Sequence, residues 1–236
     1  MKRYLFQPIL SDLQKKMVFI TGPRQVGKTY LAKEIQTLYK NPLYLNYDNI
    51  DDALLIQKRQ WPVASDMVIF DEIHKMKSWK KYLKGIYDTK SKKQHLLITG
   101  SSRMETFRQT GESLAGRYFH YRLNPLSVAE LKQTTKPHDA LSSLNILGSF
   151  PEPFLSGSED YANRWRRQYY TDLICEDILD FSRIQEIRSI RLLVELLRKR
   201  VGSPISYSSL ARDLQIAPNT VKKYISILES LYIIFI

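Results

Sequence analysis

Cysteine is nearly absent: Cys175 stands alone in 236 residues. The chain can therefore form no internal disulfide and no cysteine-built metal cluster, and a reducing cytoplasm is the compartment that fits. Long apolar runs are missing too. No stretch approaches the roughly 20 residues that cross a bilayer. The opening Met1-Lys2-Arg3-Tyr4-Leu5-Phe6 is broken by Gln7, Pro8 and Asp12 before it can become a signal-peptide core, so no membrane partner is expected. Acidic charge is in deficit, with 24 Asp and Glu against 36 Lys and Arg, a net charge of +12 and a pI near 9.6. That balance favours a polyanionic partner such as DNA or RNA, although it is also compatible with a merely basic protein. The 43% hydrophobic content argues against disorder and suffices for one large α/β domain with a small appendage.

Short apolar runs are what the chain has instead. Met17-Val18-Phe19-Ile20-Thr21, Leu43-Tyr44-Leu45-Asn46-Tyr47, Met67-Val68-Ile69-Phe70 and Leu96-Leu97-Ile98-Thr99 have the length and composition of strands buried on both faces. Between them lie segments of helical spacing, one running on from Tyr30 and one following Ser78, where Trp79, Tyr82, Leu83, Ile86 and Tyr87 share a side. Strands alternating with helices imply a parallel sheet with right-handed crossovers. A fifth strand is expected over 118–123, ended by Asn124-Pro125. From about 134 to 160 the pattern breaks at Pro137, Gly148, Pro151, Pro153 and Gly157, and a domain boundary is expected there. Beyond it, 161–181 and 187–200 read as helical.

Gly22-Pro23-Arg24-Gln25-Val26-Gly27-Lys28-Thr29 matches G-x-x-x-x-G-K-[ST] in full, after an apolar strand and before a helix, the context a phosphate-binding loop needs. Its backbone N–H groups would wrap phosphates while the following helix directs its positive end at them. Lys28 would reach the β- and γ-phosphates, and the Thr29 hydroxyl would join a Mg²⁺ shell. With Tyr30 behind them, residues 22–29 form the candidate nucleotide cradle.

Met67-Val68-Ile69-Phe70-Asp71-Glu72 is an apolar strand tipped with two carboxylates, and ligands of open α/β sheets bind outside the carboxyl ends of strands. Asp71 is placed to hold Mg²⁺ through water, and Glu72 to polarise a water for hydrolysis. The strand before Gly100-Ser101-Ser102-Arg103 ends in small polar groups instead. A hydroxyl from Thr99 or Ser101 could read the γ-phosphate, and an ordinary Gly/Ser turn explains the same residues.

GPRQVGKT, IFDEIHK, LLITGSS, LAGRYFHYRLNPLSVAEL and GSFPEPFL, in this order, resemble the prokaryotic AAA+ ATPases paired with a DUF4143 region. The resemblance implies an AAA+ core, Mg-ATP as ligand, a sensor polar residue at 99–101 and a winged-helix segment. It makes Arg117 the candidate for stabilising charge on the transferred phosphoryl group, in its own chain or across a subunit boundary of a homo-oligomer, with Arg103 the competitor. A second sensor arginine could be Arg183, Arg188 or Arg191. Members of that family usually continue into a further, often nuclease-like domain. Here the chain stops at an apparent apolar strand, 231–236, which suggests C-terminal truncation.

Ser206-Tyr207-Ser208-Ser209-Leu210-Ala211-Arg212-Asp213-Leu214 reads as a capped helix, Gln215-Ile216-Ala217 as a turn, and Pro218 as the opening of a second helix. That spacing buries Leu210, Leu214, Ile216, Val221, Ile225 and Leu228 and turns Asn219, Thr220, Lys222, Lys223 and Ser226 outward, as a DNA recognition helix would. Protein contact is the competing use of such a motif. Eight lysines between Lys75 and Lys93, with Arg164, Arg166 and Arg167, could extend a basic surface, or could simply solvate a helix face. The expected architecture is an α/β P-loop NTPase (AAA+) core over 1–155, a helical lid or linker over 156–200, and an incomplete winged helix over 201–236. The expected function is ATP hydrolysis regulating DNA contact. The alternative is a nucleotide-dependent scaffold with little hydrolysis.

Overall fold

The computed structural model describes residues 3–62, 64–100, 114–132, 136–173 and 184–235. It divides into two compact units, Met1–Gly157 and Ser158–Ile236. In the first, the apolar runs become strands β1 Met17–Thr21, β2 Pro42–Asn46, β3 Met67–Asp71, β4 His95–Thr99 and β5 Tyr118–Arg122. They form a parallel sheet in the order β2-β3-β4-β1-β5. Parallel neighbours need long crossovers. Helices α2 Lys28–Gln36, α3 Ile50–Lys58 and α4 Trp79–Thr89 supply them, and α1 Phe6–Leu13 precedes β1.

Successive strand side chains point to opposite faces, and here both faces are covered. Val18, Ile20, Met67, Ile69 and Leu97 pack with Ile9 and Leu13 of α1 and Leu31 and Ile35 of α2. Met17, Phe19, Val68, Phe70, Leu96 and Ile98 pack with Ile56 of α3 and Leu83 and Ile86 of α4. This is why β1 and β3 are buried along their whole length and carry no alternation in sequence.

The stretch expected to break the pattern contains two helices, Pro137–Leu147 and Pro151–Ser156. Four of the five residues read as interruptions are their ends, and Pro153 lies within the first turn of the second helix. Pro137 and Pro151 open the first turns, where a missing N–H costs nothing. Gly148 and Gly157 close them at φ 86° and 64°. Helix α3 also escaped the sequence reading. Its start is set by Asn49, whose side chain accepts from the backbone N–H of Asp51 and Asp52.

The second unit contains helices Glu159–Asp172, Ile184–Arg198, Tyr207–Leu214 and Pro218–Ser230. Ser158 and Ser206 cap the first and third, accepting from Tyr161 N and Ser209 N. Ile190, Leu193, Leu210, Leu214, Val221, Ile225 and Leu228 share one buried cluster. The expected apolar strand after Ser230 is instead turn and irregular backbone. Leu231 and Tyr232 are buried, so those side chains serve as helix-core packing. Among the described residues no helix is long and apolar enough to cross a membrane.

Candidate nucleotide-binding site

Strand β1 delivers the chain into residues 22–29 at the carboxyl edge of the sheet. Gly22, at φ 147°, lies so close to the Leu123 carbonyl that a Cβ would collide with it. Gly27, at φ 97°, is the left-handed N-cap of α2, and Gln25 is also left-handed at φ 60°. The loop thus bends through three residues at positive φ, the kind of local geometry in which successive backbone N–H groups can converge on an anion. Pro23 and Val26 are buried, Arg24 is half-buried, and Gln25 is exposed. The Val26 side chain belongs to the apolar core, so that residue can offer a ligand only its backbone. The Tyr30 ring is 64% exposed. Lys28 is buried, and its Nζ donates to the carbonyls of Gly22 at 3.0 Å and Pro23 at 2.7 Å. The ammonium is held inside the loop where phosphate would take over its donors.

Asp71, at the end of β3, is buried and accepts three hydroxyls. Thr29 Oγ1 donates to Oδ2 at 3.0 Å, Thr99 Oγ1 to Oδ1 at 2.6 Å, and Tyr44 OH to Oδ2 at 2.5 Å. Register explains the convergence: Asp71 lies opposite Thr99, and Thr99 opposite Ile20 of β1. The Thr29 and Asp71 pair is a hard-oxygen set suited to a hydrated Mg²⁺, and the residues present fit Mg-nucleotide. Thr99 is fully buried and its hydroxyl donates to Asp71, bracing the carboxylate beside the phosphate loop. Ser101 and Arg103 lie outside the described residues, as does Arg183.

Tyr44 was not legible in advance. It pairs with Ile69 across the β2–β3 ladder, which puts it on the sheet face of Asp71 two residues on, but that register is set only when the strands assemble. Burial first, and then the hydrogen bond to Asp71, raise its pKa above that of an ordinary tyrosine and keep it a donor. Lys33 Nζ sits 5.0 Å from the ring centroid and covers its face.

Glu72 follows Asp71 in a left-handed conformation, φ 55°, with its N–H bonded to Thr99 O at 3.0 Å. A non-glycine residue held there stores strain of the order of 1 kcal/mol or more, and such strain clusters at functional sites. Its carboxylate is 23% exposed, 3.5 Å from His74 Nε2 and 3.9 Å from Lys75 Nζ. Burial, followed by the Asp71 charge, raises its pKa, against the opposing pull of Lys75 and Lys28. That is the direction a general base needs.

Two arginines exchange the importance the sequence suggested for them. Arg117 precedes β5, and its carbonyl accepts from Met17 N at the start of β1. It therefore lies at the amino edge of the sheet, about 16 Å of strand away from residue 22. Its guanidinium forks onto Asp88, Nε–Oδ1 2.8 Å and Nη2–Oδ2 3.1 Å. The role expected of it at its own chain's phosphates does not hold. Arg3, named in the sequence only within the opening segment 1–6, is buried beside the loop. Its Nε donates to Glu130 Oε1 at 2.8 Å, Nη1 to Val26 O at 2.8 Å, and Nη2 to Asn124 O. Glu130 is shared with the Ser127 capping box, so one ion pair fixes the phosphate loop against the segment after β5.

In the second unit, Asn219, Lys222, Lys223 and Ser226 are exposed and Thr220 half-exposed, while Tyr224 and Ile227 join the buried side. Arg188 and Arg191 are exposed on the helix Ile184–Arg198.

Residues 14–132 match the family model AAA_14, an AAA domain, and residues 138–236 match DUF8612, a domain of unknown function. The latter stands where the motifs suggested a DUF4143 region. The uncharacterized protein Rv2008c of Mycobacterium tuberculosis is 24% identical over 220 residues, covering 92% of this chain and 48% of that protein. The uncharacterized protein MJ1544 of Methanocaldococcus jannaschii is 24% identical over 253 residues, covering 95% and 57%. The chain thus spans about half the length of these curated relatives. Among solved structures, the Walker-type ATPase Paby2304 of Pyrococcus abyssi aligns with a TM-score of 0.65 at 15% identity, covering 98% of this chain and 89% of that one, a likeness of fold.

Proposed function

This chain belongs to the AAA_14 family of AAA domains, and on that premise we propose that it binds and hydrolyses Mg-ATP and that its nucleotide state regulates contact with DNA. The observation that carries the reading is the meeting of Lys28, Thr29, Asp71 and Glu72 at the carboxyl edge of the sheet, where open α/β sheets take their ligands. Residues 22–29 cradle the phosphates and Lys28 sets its charge against them. Thr29 and Asp71 hold Mg²⁺, which when bound supplies positive charge against the phosphate oxygens. Glu72, ionised and raised in basicity, accepts a proton from the attacking water. The DNA half of the proposal is supported by the net charge of +12 and the outward Asn219, Thr220, Lys222 and Lys223. We assign 1–155 to the ATPase core, 156–200 to a lid or linker, and 201–236 to a winged-helix segment.

The test is phosphate release with and without duplex DNA, on wild type, Lys28→Ala and Glu72→Gln. Lys28→Ala is expected to lose nucleotide, Glu72→Gln to retain ATP but turn over at least tenfold more slowly, and DNA to change the wild-type rate. Unchanged turnover in Glu72→Gln removes that residue from its role. ATP binding without phosphate release favours the scaffold alternative.

A further inference from the structure

A groove of about 780 Å³ runs between α3 and α4 and is lined by Arg59, Lys77, Lys81 and Lys84. All four are exposed, and among the described residues none has a carboxylate within salt-bridge distance. The carboxylate in the lining is Asp88, and the Arg117 fork engages it at 2.8 and 3.1 Å and lowers its pKa. Asp88, already forked by Arg117, also feels the Lys84 charge, so one shared carboxylate faces four groove cations and the lining keeps a net positive charge. Like charges gathered in one cleft repel one another in the folded protein and focus a field that attracts an anion.

The groove is also built. Arg59 closes α3 in a left-handed conformation, φ 52°. Its guanidinium lies 5.0 Å from the Tyr82 ring centroid, and the Tyr82 hydroxyl fixes that ring by donating to Ile56 O. The guanidinium lies over Gly85 of α4: a Cβ there would stand 2.8 Å from Arg59 Nη2, so alanine at 85 would shift the guanidinium from this position. Lys81 and Lys84 stand one turn apart on α4, a rise of about 4.5 Å, and Lys77 lies just before the N-cap Ser78. Three lysines beside a pre-set guanidinium match a ligand that carries several negative charges along its length.

One wall of the groove, Met76, Lys77 and Ser78, continues directly from Glu72. Between them lies the 3-10 turn Ile73–Lys75, anchored by the fully buried Ile73, and the wall itself ends in a second left-handed residue, Ser78 at φ 67°. We propose that this groove binds the phosphodiester backbone of a nucleic-acid strand, and that occupancy shifts residues 72–78 and thereby the water-polarising Glu72, so that nucleic acid bound at the ATPase core stimulates turnover. The stimulation rests on the ATPase reading; the binding does not.

The experiment measures anisotropy of a fluorescein-labelled 20-mer, single-stranded and duplex, across a salt series, with phosphate release in parallel. Proteins are wild type, Lys77→Ala/Lys81→Ala/Lys84→Ala, Gly85→Ala, and Lys222→Ala/Lys223→Ala as the comparison for the helix pair. The triple variant is expected to lose at least about tenfold in affinity, and its log–log salt slope to become shallower by about 2 to 3. Gly85→Ala, which keeps every charge and favours the helix, is expected to bind several-fold more weakly with its slope unchanged. Both variants are expected to keep basal turnover and lose stimulation. If only the Lys222/Lys223 variant weakens binding, the groove proposal is overturned while DNA contact by the helix pair survives. If polyglutamate competes at the groove and oligonucleotides do not bind there, an acidic protein segment replaces nucleic acid and the proposal is likewise overturned. Groove binding without stimulation, in a protein that releases phosphate, refutes the link to Glu72. Absent phosphate release defeats the ATPase reading and leaves the binding measurement to decide the groove.

Discussion

Replacing Arg3 with Met tests whether a residue far from the sequence motif sets the phosphate loop. Arg3 and Glu130 side chains are 4% and 1% exposed. Breaking a buried pair from one side leaves the other charge uncompensated, at a typical cost of about 3–5 kcal/mol. Glu130 keeps two backbone donors, Tyr4 N at 3.1 Å and Ser127 N at 3.1 Å, which places the expected loss near the lower figure, about 3 kcal/mol. For a unit the size of Met1–Gly157, at about 2–4 °C per kcal/mol, Tm should fall by roughly 6–12 °C. Two carbonyls, of Val26 and Asn124, also lose their donor, so the loop loosens and ATP affinity should drop several-fold even at temperatures where the variant is folded. The assay is thermal unfolding by circular dichroism with nucleotide titration, in a cycle with Glu130→Gln. That second change removes the charge while keeping the amide oxygen for the Ser127 cap, so the double variant should recover more than about 1 kcal/mol relative to additivity. A single variant that melts within about 2 °C of wild type, or a cycle that is additive, would show that the pair does not hold the loop.

Tyr44→Phe removes one of three hydroxyls oriented on Asp71. Loss of such outer-shell support typically costs about 10–100-fold in metal affinity or activity, so the Mg²⁺ concentration for half-maximal turnover should rise at least about tenfold while Tm moves little. Burial raises the Glu72 pKa, so the acid limb of the turnover profile should lie above the ordinary glutamate value of about 4.3 and vanish in Glu72→Gln. The same shift has a stability sign: with the folded pKa above the unfolded one, the contribution from Glu72 is fully present below the unfolded pKa and is lost as pH rises through the folded pKa. Glu72→Gln should therefore gain stability relative to wild type at neutral pH, as read by denaturant unfolding. Leu228, fully buried in the second unit, should cost about 2–5 kcal/mol as Leu228→Ala, seen as selective early unfolding of that unit.

What the sequence made readable was local chemistry. A strand buried on both faces writes itself as four consecutive apolar letters, so β1 and β3 were visible, and with them the loop of residues 22–29 and the carboxylates of Asp71 and Glu72. The helix pair after Ser206 was readable for the same reason, because Leu210, Leu214, Val221 and Leu228 recur at the period of a helix. Prolines and glycines misled between 134 and 160 because the same letters end helices and break them, and only the flanking backbone decides which.

The partners of the motif residues were not readable, for a reason that applies to each. Arg3 meets Glu130 across 127 positions, Tyr44 meets Asp71 across 27, and Arg117 meets Asp88 across 29. Each meeting depends on strand order and register, which place β1 between β4 and β5 and set Tyr44 on the face of Asp71. Arg117 shows the consequence: its Gly-Arg motif suggested a phosphate ligand, yet a residue that enters a parallel strand stands a full strand length from the edge where its own chain's phosphates would bind. A motif names the chemistry a residue is capable of, and the end of the strand it occupies decides whether it can perform it within its own chain.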